Sequence, residues 1–314
     1  MQIWYYETSA INYLMKIPNF GTLATKNLQI SKGRDWRISP TSIWEILLTT
    51  DSKQREIILE FCQHLFSRKL LPSPDDLIIG FIKSRMLLAE PRRSLDSTSE
   101  LATTWAEMVD DKRKTFKYDK ELFMKKSNFL RYFVKTIYSI VNDEEVILGP
   151  FTLHGNFDIT LGYLVREAAK IDGNMQLNKE EMRFYKISLF YAIMILCSEV
   201  EMENHSTKMY WEKLEKKLTW ERIEYIVYKI PTIIWRGPFV LMAYMTLSQT
   251  DQKYSRGLWF DCLHSVYITY VDSFFTNDKH FVKLREQIPD PRLQMKIMHM
   301  EEMEFTNHKG NWLA

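Results

Sequence analysis

The chain has 314 residues, a length that predicts about two domains of roughly 150 residues each. Hydrophobic residues make up 46% and charged residues 26%, which is typical of globular proteins and excludes a disordered, collagen-like or coiled-coil chain. The 42 basic and 40 acidic side chains give a net charge of +2. Any contact with nucleic acid must therefore come from a local basic patch rather than from the overall field.

The cysteines give no sign of a disulfide framework or a zinc ribbon. Cys62, Cys197 and Cys262 are far apart and have no CxxC spacing. We interpret them as buried small hydrophobic side chains in a reducing compartment. Neither a basic-then-apolar N-terminal signal nor an apolar run of about 20 residues is found. We expect a cytoplasmic protein that has no membrane partner.

The first segments predict α/β structure. Residues 3–6 are a β-branched and aromatic run that predicts a strand, and helical spacing follows it. Ser39 and Pro40 predict the start of a helix, with serine as the N-cap and proline in the first turn. A further helix is predicted over 54–66, and residues 69–74 end it.

The middle of the chain has a different pattern. From about residue 86 to 257 long helical periodicities dominate, with almost no strand signal. Helices are predicted over 123–141, 180–199 and 211–230, and pairs such as Gly149-Pro150 mark the connections between helices. This block is predicted to be an all-helical domain inserted into the chain.

The last part of the sequence predicts a return to α/β structure. A helix is predicted over 258–271, a strand over 273–276 and a final strand over 293–298. The first and last parts of the chain then form one domain around the insertion, which is tolerable where the ends of the insertion lie close together. The predicted boundaries are 1–82 and 257–314 for the α/β domain and 83–256 for the helical domain.

Two acidic residues in the first part stand at informative positions. Glu7 directly follows the first strand, at the carboxyl edge where parallel sheets bind ligands. Glu45 lies between Trp44 and Ile46 on a largely apolar helix, where a carboxylate needs a cation or a donor. Both also have structural interpretations, Glu7 as a solvated strand-end acid and Glu45 as an acid at a helix edge or paired with an arginine.

Asp261 and Asp278 frame the helix and strand that end the α/β domain. The helix from Asp261 to Asp272 descends about 16 Å, and the strand from Asp272 to Asp278 climbs about 20 Å. Asp261 and Asp278 are therefore predicted at one edge of the sheet and Asp272, with a structural role, at the other. Asp261 also fits a second role as complement to the helix dipole.

Four acids that converge on one edge need a cation to balance their charge. These segments have no histidine or cysteine at metal-ligand spacing, so an all-oxygen pocket favours Mg²⁺ or Mn²⁺ over zinc. Such a site suits hydrolysis of a phosphodiester, because the metal lowers the pKa of a bound water and offsets charge on the phosphorus oxygens.

Three segments are similar to motifs of the PIN-domain nucleases. They are IWYYETS at 3–9, ISPTSIWEIL at 38–47 and DCLHSVYITYVDSFFTNDKHF at 261–281. The resemblance covers about residues 1–80 and 257–300. It implies an α/β/α sandwich around a parallel sheet and a metal-dependent ribonuclease or flap-type nuclease. The residues that it carries over are the catalytic and metal-binding acids Glu7, Glu45, Asp261 and Asp278, with Ser9 and Thr276 as hydroxyl support for metal or water.

The sequence departs from this family at two points. Glu7 stands where the family has aspartate, and the extra methylene moves the carboxylate by about 1.5 Å, enough to change metal spacing. The predicted helical block also interrupts the family layout between the second and third acids.

The densest basic stretch begins with Lys112, Arg113, Lys114 and Lys117. Phe116 and Tyr118 lie among these cations, a pattern that predicts contact with a phosphate backbone and a stacked base. The same pattern also fits a solvated helix face that nearby acids balance.

These features together predict a divalent-metal-dependent nuclease that acts on RNA in preference to DNA. The inserted block would control substrate access, dock a protein partner or mediate oligomerisation, and the resemblance is compatible with a toxin-like or phage-defence role. The alternative is a catalytically weak PIN-like scaffold that binds nucleic acid or protein, which the glutamate at position 7 favours.

Overall fold

The computed structural model describes residues 2–17, 33–85, 96–97, 100–111, 134–153, 157–171, 173, 175–198, 227, 237–249 and 257–302. The chain divides into two compact units. The first unit comprises 1–74, 92–118 and 267–314, and the second comprises 75–91 and 119–266. None of the helices in the described ranges is long and apolar enough to cross a membrane.

The described ranges contain both strands and helices. In chain order the strands are β1 (Gln2–Tyr6), β2 (Arg34–Arg37), β3 (Ile147–Leu153), β4 (Phe157–Thr160), β5 (Ser273–Thr276) and β6 (Ile297–His299). The helices are α1 (Thr8–Lys16), α2 (Pro40–Leu47), α3 (Ser52–Leu65), α4 (Pro74–Arg85), α5 (Glu100–Asp110), α6 (Leu161–Ile171), α7 (Lys179–Ser198), α8 (Pro238–Ser248), α9 (Gly257–Tyr267), α10 (Lys279–Gln287) and α11 (Pro291–Gln294). Residues 134–141 are also helical, and Met300–Glu302 form a 3-10 turn.

A four-stranded parallel sheet forms the centre of the first unit, which confirms the predicted α/β class. The strand order is β2-β1-β5-β6, and all three neighbouring pairs are parallel. Tyr6 of β1 lies opposite Phe275 of β5, which in turn lies opposite Met298 of β6. Because the strands are parallel, the residues that follow β1 and β5 meet at the same edge of the sheet.

Aromatic side chains fill both faces of this sheet, as the two-residue period of a strand requires. Trp4 and Tyr6 lie on one face with Phe275, and the Tyr6 and Phe275 rings stack with centroids 4.4 Å apart. Tyr5 lies on the other face with Phe274, at a centroid distance of 5.4 Å. The sheet is therefore buried on both sides, and its carboxyl edge is held in place by packing.

The predicted start of α2 is confirmed. Ser39 is the N-cap, its hydroxyl accepts a hydrogen bond from Ser42 N at 3.1 Å, and Pro40 is in the first turn. The Tyr5 hydroxyl lies 2.9 Å from Ser39 Oγ and 3.0 Å from Ser42 Oγ, all three side chains being buried. This contact fixes α2 beside β1.

Asp272 lies at the amino edge of the sheet, as the rise of helix and strand predicts. Its Oδ2 accepts a hydrogen bond from Ile3 N at 2.7 Å, and its own N–H donates to the Ile3 carbonyl at 3.0 Å. Ile3 is near the beginning of β1, whereas Asp278 follows the end of β5. The two acids are therefore at opposite edges.

The middle of the chain is not all-helical, which corrects that part of the prediction. Strands β3 and β4 form an antiparallel pair in the second unit, and their register shifts between Ile147 and Thr152. Gly149 and Pro150, which predict a connection between helices, lie inside β3 at this irregularity. A proline is tolerated there because a two-stranded ribbon does not require a ladder hydrogen bond from every residue.

Other elements differ from the sequence prediction in their bounds or lie outside the described residues. Helix α5 belongs to the first unit, where Trp105 is buried in its hydrophobic core, although the prediction places it in the middle block. The segment predicted as a strand over 293–298 contains the end of α11 and the start of β6. The predicted helix over 211–230 lies outside the described residues except for Val227.

Strand β2, which the sequence analysis does not predict, carries a buried ion pair. Arg37 contacts Asp35 Oδ2 at 2.6 Å and Asp96 Oδ1 at 2.7 Å, and only 3% of the Arg37 side chain is exposed. Lys69 contacts the other oxygen of Asp96 at 2.9 Å. The hydrogen bond from Lys69, with the neighbouring Arg37, holds the pKa of Asp96 below its ordinary value.

We expect Asp96→Asn to destabilise the protein in a pH-dependent way. A carboxyl whose pKa is lowered in the folded state stabilises the fold above its unfolded pKa of about 3.9, and this contribution is lost as the pH falls through the folded value. Because Asp96 is partly exposed, the expected loss at pH 7 is about 1 kcal/mol. Urea unfolding at several pH values measures it. A difference from wild type that persisted unchanged well below pH 4 would contradict this assignment.

Candidate functional site

Glu7 stands at the carboxyl edge of the sheet, between β1 and α1. It is the N-cap of α1 and is only 4% exposed. Its Oε2 accepts a hydrogen bond from Ser9 N at 2.7 Å, and its Oε1 accepts from Ala10 N at 3.2 Å and from the Ser9 hydroxyl. Glutamate is long enough to curl back over the first turn of its own helix, so the carboxylate meets the positive end of the helix.

The end of β5 contacts the same carboxylate. Thr276 Oγ1 donates to Glu7 Oε1 at 2.8 Å, and Asn277 N lies 3.4 Å from that oxygen. Asn277 N also donates to Ser9 Oγ at 2.8 Å. Four donors thus converge on Glu7 Oε1, which is more than its two lone pairs accommodate in ideal geometry. Both predicted support residues, Ser9 and Thr276, are brought together with Glu7, and both are bound to its carboxylate.

Asp278 begins α10 immediately after this contact. It is the N-cap, and its Oδ1 accepts a hydrogen bond from His280 N at 2.7 Å. His280 Nδ1 lies 3.2 Å from the same oxygen. Asp278 N donates to Thr276 Oγ1 at 3.0 Å. The Thr276 hydroxyl therefore joins the Glu7 carboxylate to the Asp278 backbone.

The carboxylate of Asp278 is more open than that of Glu7. About a third of its side chain is exposed, at 32%. Its Oδ2 has no hydrogen-bond donor among the residues that the structure describes, whereas Oδ1 is held by His280. One oxygen of Asp278 is thus fixed by the protein, and the other is available to a ligand.

The other two predicted acids are on two helices, Glu45 on α2 and Asp261 on α9. Glu45 is half-buried in the first unit and belongs to no group of three potential metal ligands among the described residues. Asp261 is on α9 in the second unit, and its Oδ2 accepts from Gln249 Nε2 at 2.7 Å. Gln249 is only 3% exposed. Within the first unit, the Thr276 hydroxyl connects the Glu7 carboxylate to the Asp278 backbone.

The predicted nucleic-acid-binding residues, Lys112, Arg113, Lys114 and Lys117, lie outside the described residues.

The structure adds two residues to the site that the sequence analysis did not assign to it, Asn277 and His280. Asn277 could have been assigned to the site from the sequence because it lies between Thr276 and Asp278 at the end of a parallel strand. His280 could have been assigned because it is the second residue of a helix that begins at an acidic N-cap.

Two other features of the described residues do not include Glu7 or Asp278. An open cleft of about 630 Å³ is lined by the end of α10, α11 and the start of β6, without Glu7 or Asp278. Cys62 and Cys262 are free and fully buried, as the sequence predicts. Burial raises the pKa of Cys262 to about 12, so this thiol is not ionised near pH 7.

Comparisons of this chain with protein-family models, with curated proteins and with solved structures find no match. The function must therefore be argued from the residues at the carboxyl edge of the sheet and from the chemistry that they support.

Proposed function

We propose that this protein is a divalent-metal-dependent phosphodiester hydrolase of PIN-like α/β/α fold, acting on RNA in preference to DNA. The observation that carries the proposal is the Thr276 hydroxyl, which links the carboxylate of Glu7 to the backbone of Asp278 at the carboxyl edge of a parallel sheet. Open α/β sheets bind their ligands at this edge. The motif resemblance assigns the same residues to a nuclease centre.

The oxygen atoms at this edge fit Mg²⁺ or Mn²⁺. Asp278 presents an oxygen without a donor among the described residues. Two further oxygens, Thr8 Oγ1 and Asn277 Oδ1, are buried and have no hydrogen-bond partner in the described ranges. Hard divalent cations prefer such carboxylate, amide and hydroxyl oxygens. A bound cation would also satisfy polar atoms that are costly to bury alone.

Each residue then has a distinct part in the proposed reaction. Asp278 would hold the cation, with Glu7 and Glu45 contributing directly or through water. A cation bound there would supply a water of lowered pKa and would stabilise charge on the phosphate oxygens. Ser9 and Thr276 keep the Glu7 carboxylate in one orientation, so little reorganisation is needed when substrate binds. The resemblance also assigns Asp261 to the metal centre, and the Asp261→Asn variant tests that assignment.

The alternative, a binding scaffold with weak or no catalysis, is favoured by one specific observation. Glu7 Oε1 is crowded by four donors from α1 and from the end of β5, so this carboxylate already has a structural task. A scaffold would bind nucleic acid or protein without needing a free carboxylate here.

Cleavage of labelled single-stranded RNA and DNA in Mn²⁺ distinguishes the two functions. We expect wild type to cleave RNA faster than DNA, and Asp261→Asn to lose this activity. Glu7→Asp is expected to raise activity, because aspartate restores the carboxylate position that the motif resemblance implies. A parallel melting curve with and without Mn²⁺ measures metal binding, since a ligand bound only by the native state raises the melting temperature. Nucleic-acid binding without cleavage or a Mn²⁺ effect would favour the scaffold.

A further inference from the structure

Asn277 has a side chain with no structural task among the described residues. Its backbone N–H is used, since it donates to Ser9 Oγ at 2.8 Å and approaches Glu7 Oε1 at 3.4 Å. Its side-chain oxygen, Oδ1, is buried and has no hydrogen-bond partner in the described part of the chain. The backbone N–H of Asn277 thus lies near the Glu7 carboxylate, and its side-chain acceptor, one residue before Asp278 in sequence, is unsatisfied.

An unsatisfied buried amide oxygen is costly, at about 1 to 3 kcal/mol. An asparagine that only shaped the turn would be expected to bond to a backbone N–H two residues on, as in an Asx turn. That task is performed at this turn by Asp278, whose Oδ1 accepts from His280 N. The Asn277 oxygen is therefore left for a group that the protein itself does not supply.

The state of Glu7 indicates what that group is. Its Oε1 is crowded by Ser9, Ala10, Thr276 and Asn277, so the oxygen is poorly placed to serve a cation as well. A metal centre at this edge then lacks one hard oxygen that an uncrowded carboxylate would provide. The acceptor of Asn277 is uncharged, oxygen-based and adjacent in sequence to Asp278, which is suitable for Mg²⁺ or Mn²⁺.

We propose that Asn277 Oδ1 is a direct ligand of the divalent cation, partly replacing the oxygen that Glu7 has committed to α1 and Thr276. This assignment rests on the proposed metal-dependent function. The motif resemblance assigns Thr276 and Asp278 to the site, and this proposal adds the residue between them as a ligand.

The test is a change of ligand chemistry, Asn277→Cys. A thiolate prefers soft Cd²⁺ to hard Mg²⁺ or Mn²⁺. We expect the variant to bind Mn²⁺ at least about tenfold more weakly than wild type by calorimetry. We also expect it to bind Cd²⁺ with a thiolate-to-metal charge-transfer band in the ultraviolet that wild type lacks. The band reports direct ligation and does not depend on catalysis.

Two control variants make the outcome specific. Asn142→Cys introduces a thiol at an exposed position of the second unit and should give no such band at one equivalent of Cd²⁺. Asn277→Asp keeps an oxygen and adds charge, so its Mn²⁺ affinity should equal or exceed that of wild type. Because it also keeps the side-chain size, it tests the assignment even where the cysteine variant fails to fold.

The outcomes separate this ligand from the function on which it rests. One outcome overturns the assignment of Asn277 and leaves the metal-dependent function standing. In this outcome wild type binds Mn²⁺ and Asp278→Asn does not, whereas Asn277→Cys binds Mn²⁺ as wild type does and shows no Cd²⁺ band. Weaker Mn²⁺ binding by Asn277→Asp also overturns it. If wild type binds no divalent cation, both proposals are wrong.

Discussion

Asp278→Asn is expected to reduce Mn²⁺-dependent cleavage by about 100-fold or more while leaving the fold intact. The substitution removes a negative charge and turns one ligand oxygen into an amide nitrogen that does not bind a cation. The fold is retained because asparagine is as good an N-cap as aspartate, and its remaining oxygen can still accept from His280 N. Initial cleavage rates and the Mn²⁺-induced shift in melting temperature measure the two parts of this expectation.

The matched control is Asp272→Asn, six residues earlier and at the other edge of the sheet. Its carboxylate accepts from Ile3 N, which is a structural contact at the start of β1. We expect most of the cleavage activity and the full Mn²⁺ shift to remain, with a small loss of stability. Equal losses in the two variants would mean that the reacting edge of the sheet has been assigned wrongly, and unchanged activity in Asp278→Asn would exclude this aspartate from the centre.

The parts of the fold that could be predicted are those that depend on local pattern and on the rise of helix and strand. The aromatic run at the start of the chain, the Ser39-Pro40 helix start and the strand 273–276 have strong local signals. The placement of Asp272 and Asp278 at opposite edges of the sheet could be predicted from the rise per residue of a helix and of a strand. None of these steps depends on distant contacts.

The strands that were missed depend on distant contacts. The sequence of β2, Arg-Asp-Trp-Arg, has little strand character, and it is stable because Arg37 is buried against Asp35 and Asp96. Asp96 is 59 residues away from Arg37 along the chain, so no local pattern reveals the pairing. In β3 the pair Gly149-Pro150 is a strong turn signal, and an irregular two-stranded ribbon accommodates it nevertheless.

The residues of the candidate site could be predicted from the sequence, but the hydrogen bonds between them could not. Glu7, Ser9, Thr276 and Asp278 could be chosen from their places after two parallel strands. The direction in which the Glu7 side chain points depends on donors from α1 and from the end of β5, which are about 270 residues apart in sequence. The sequence therefore indicated that Glu7 is available to a metal. In the structure, its carboxylate is hydrogen-bonded to α1 and to the end of β5.

Glu7→Ala is expected to lower the free energy of unfolding by about 4 kcal/mol in the absence of metal. The substitution leaves the N–H groups of Ser9 and Ala10 and the hydroxyl of Thr276 without their acceptor, and each unsatisfied buried donor costs about 1 to 3 kcal/mol. Ser9→Ala keeps these three donors, removes only the Ser9 hydroxyl that also donates to Glu7, and should cost about 1 kcal/mol, which makes it the control. Urea unfolding in EDTA measures both.

The sign of the Glu7→Ala effect decides which role of this carboxylate dominates. An acid that served only as one member of a metal-binding cluster would repel its neighbours in the metal-free protein, so its removal would stabilise the fold. An acid that joins β1, α1 and the turn after β5 stabilises the fold whether or not a cation is present. A metal-free Glu7→Ala variant as stable as wild type, or more so, would contradict the structural role. A loss near 4 kcal/mol would explain why another oxygen, that of Asn277, is needed beside Asp278.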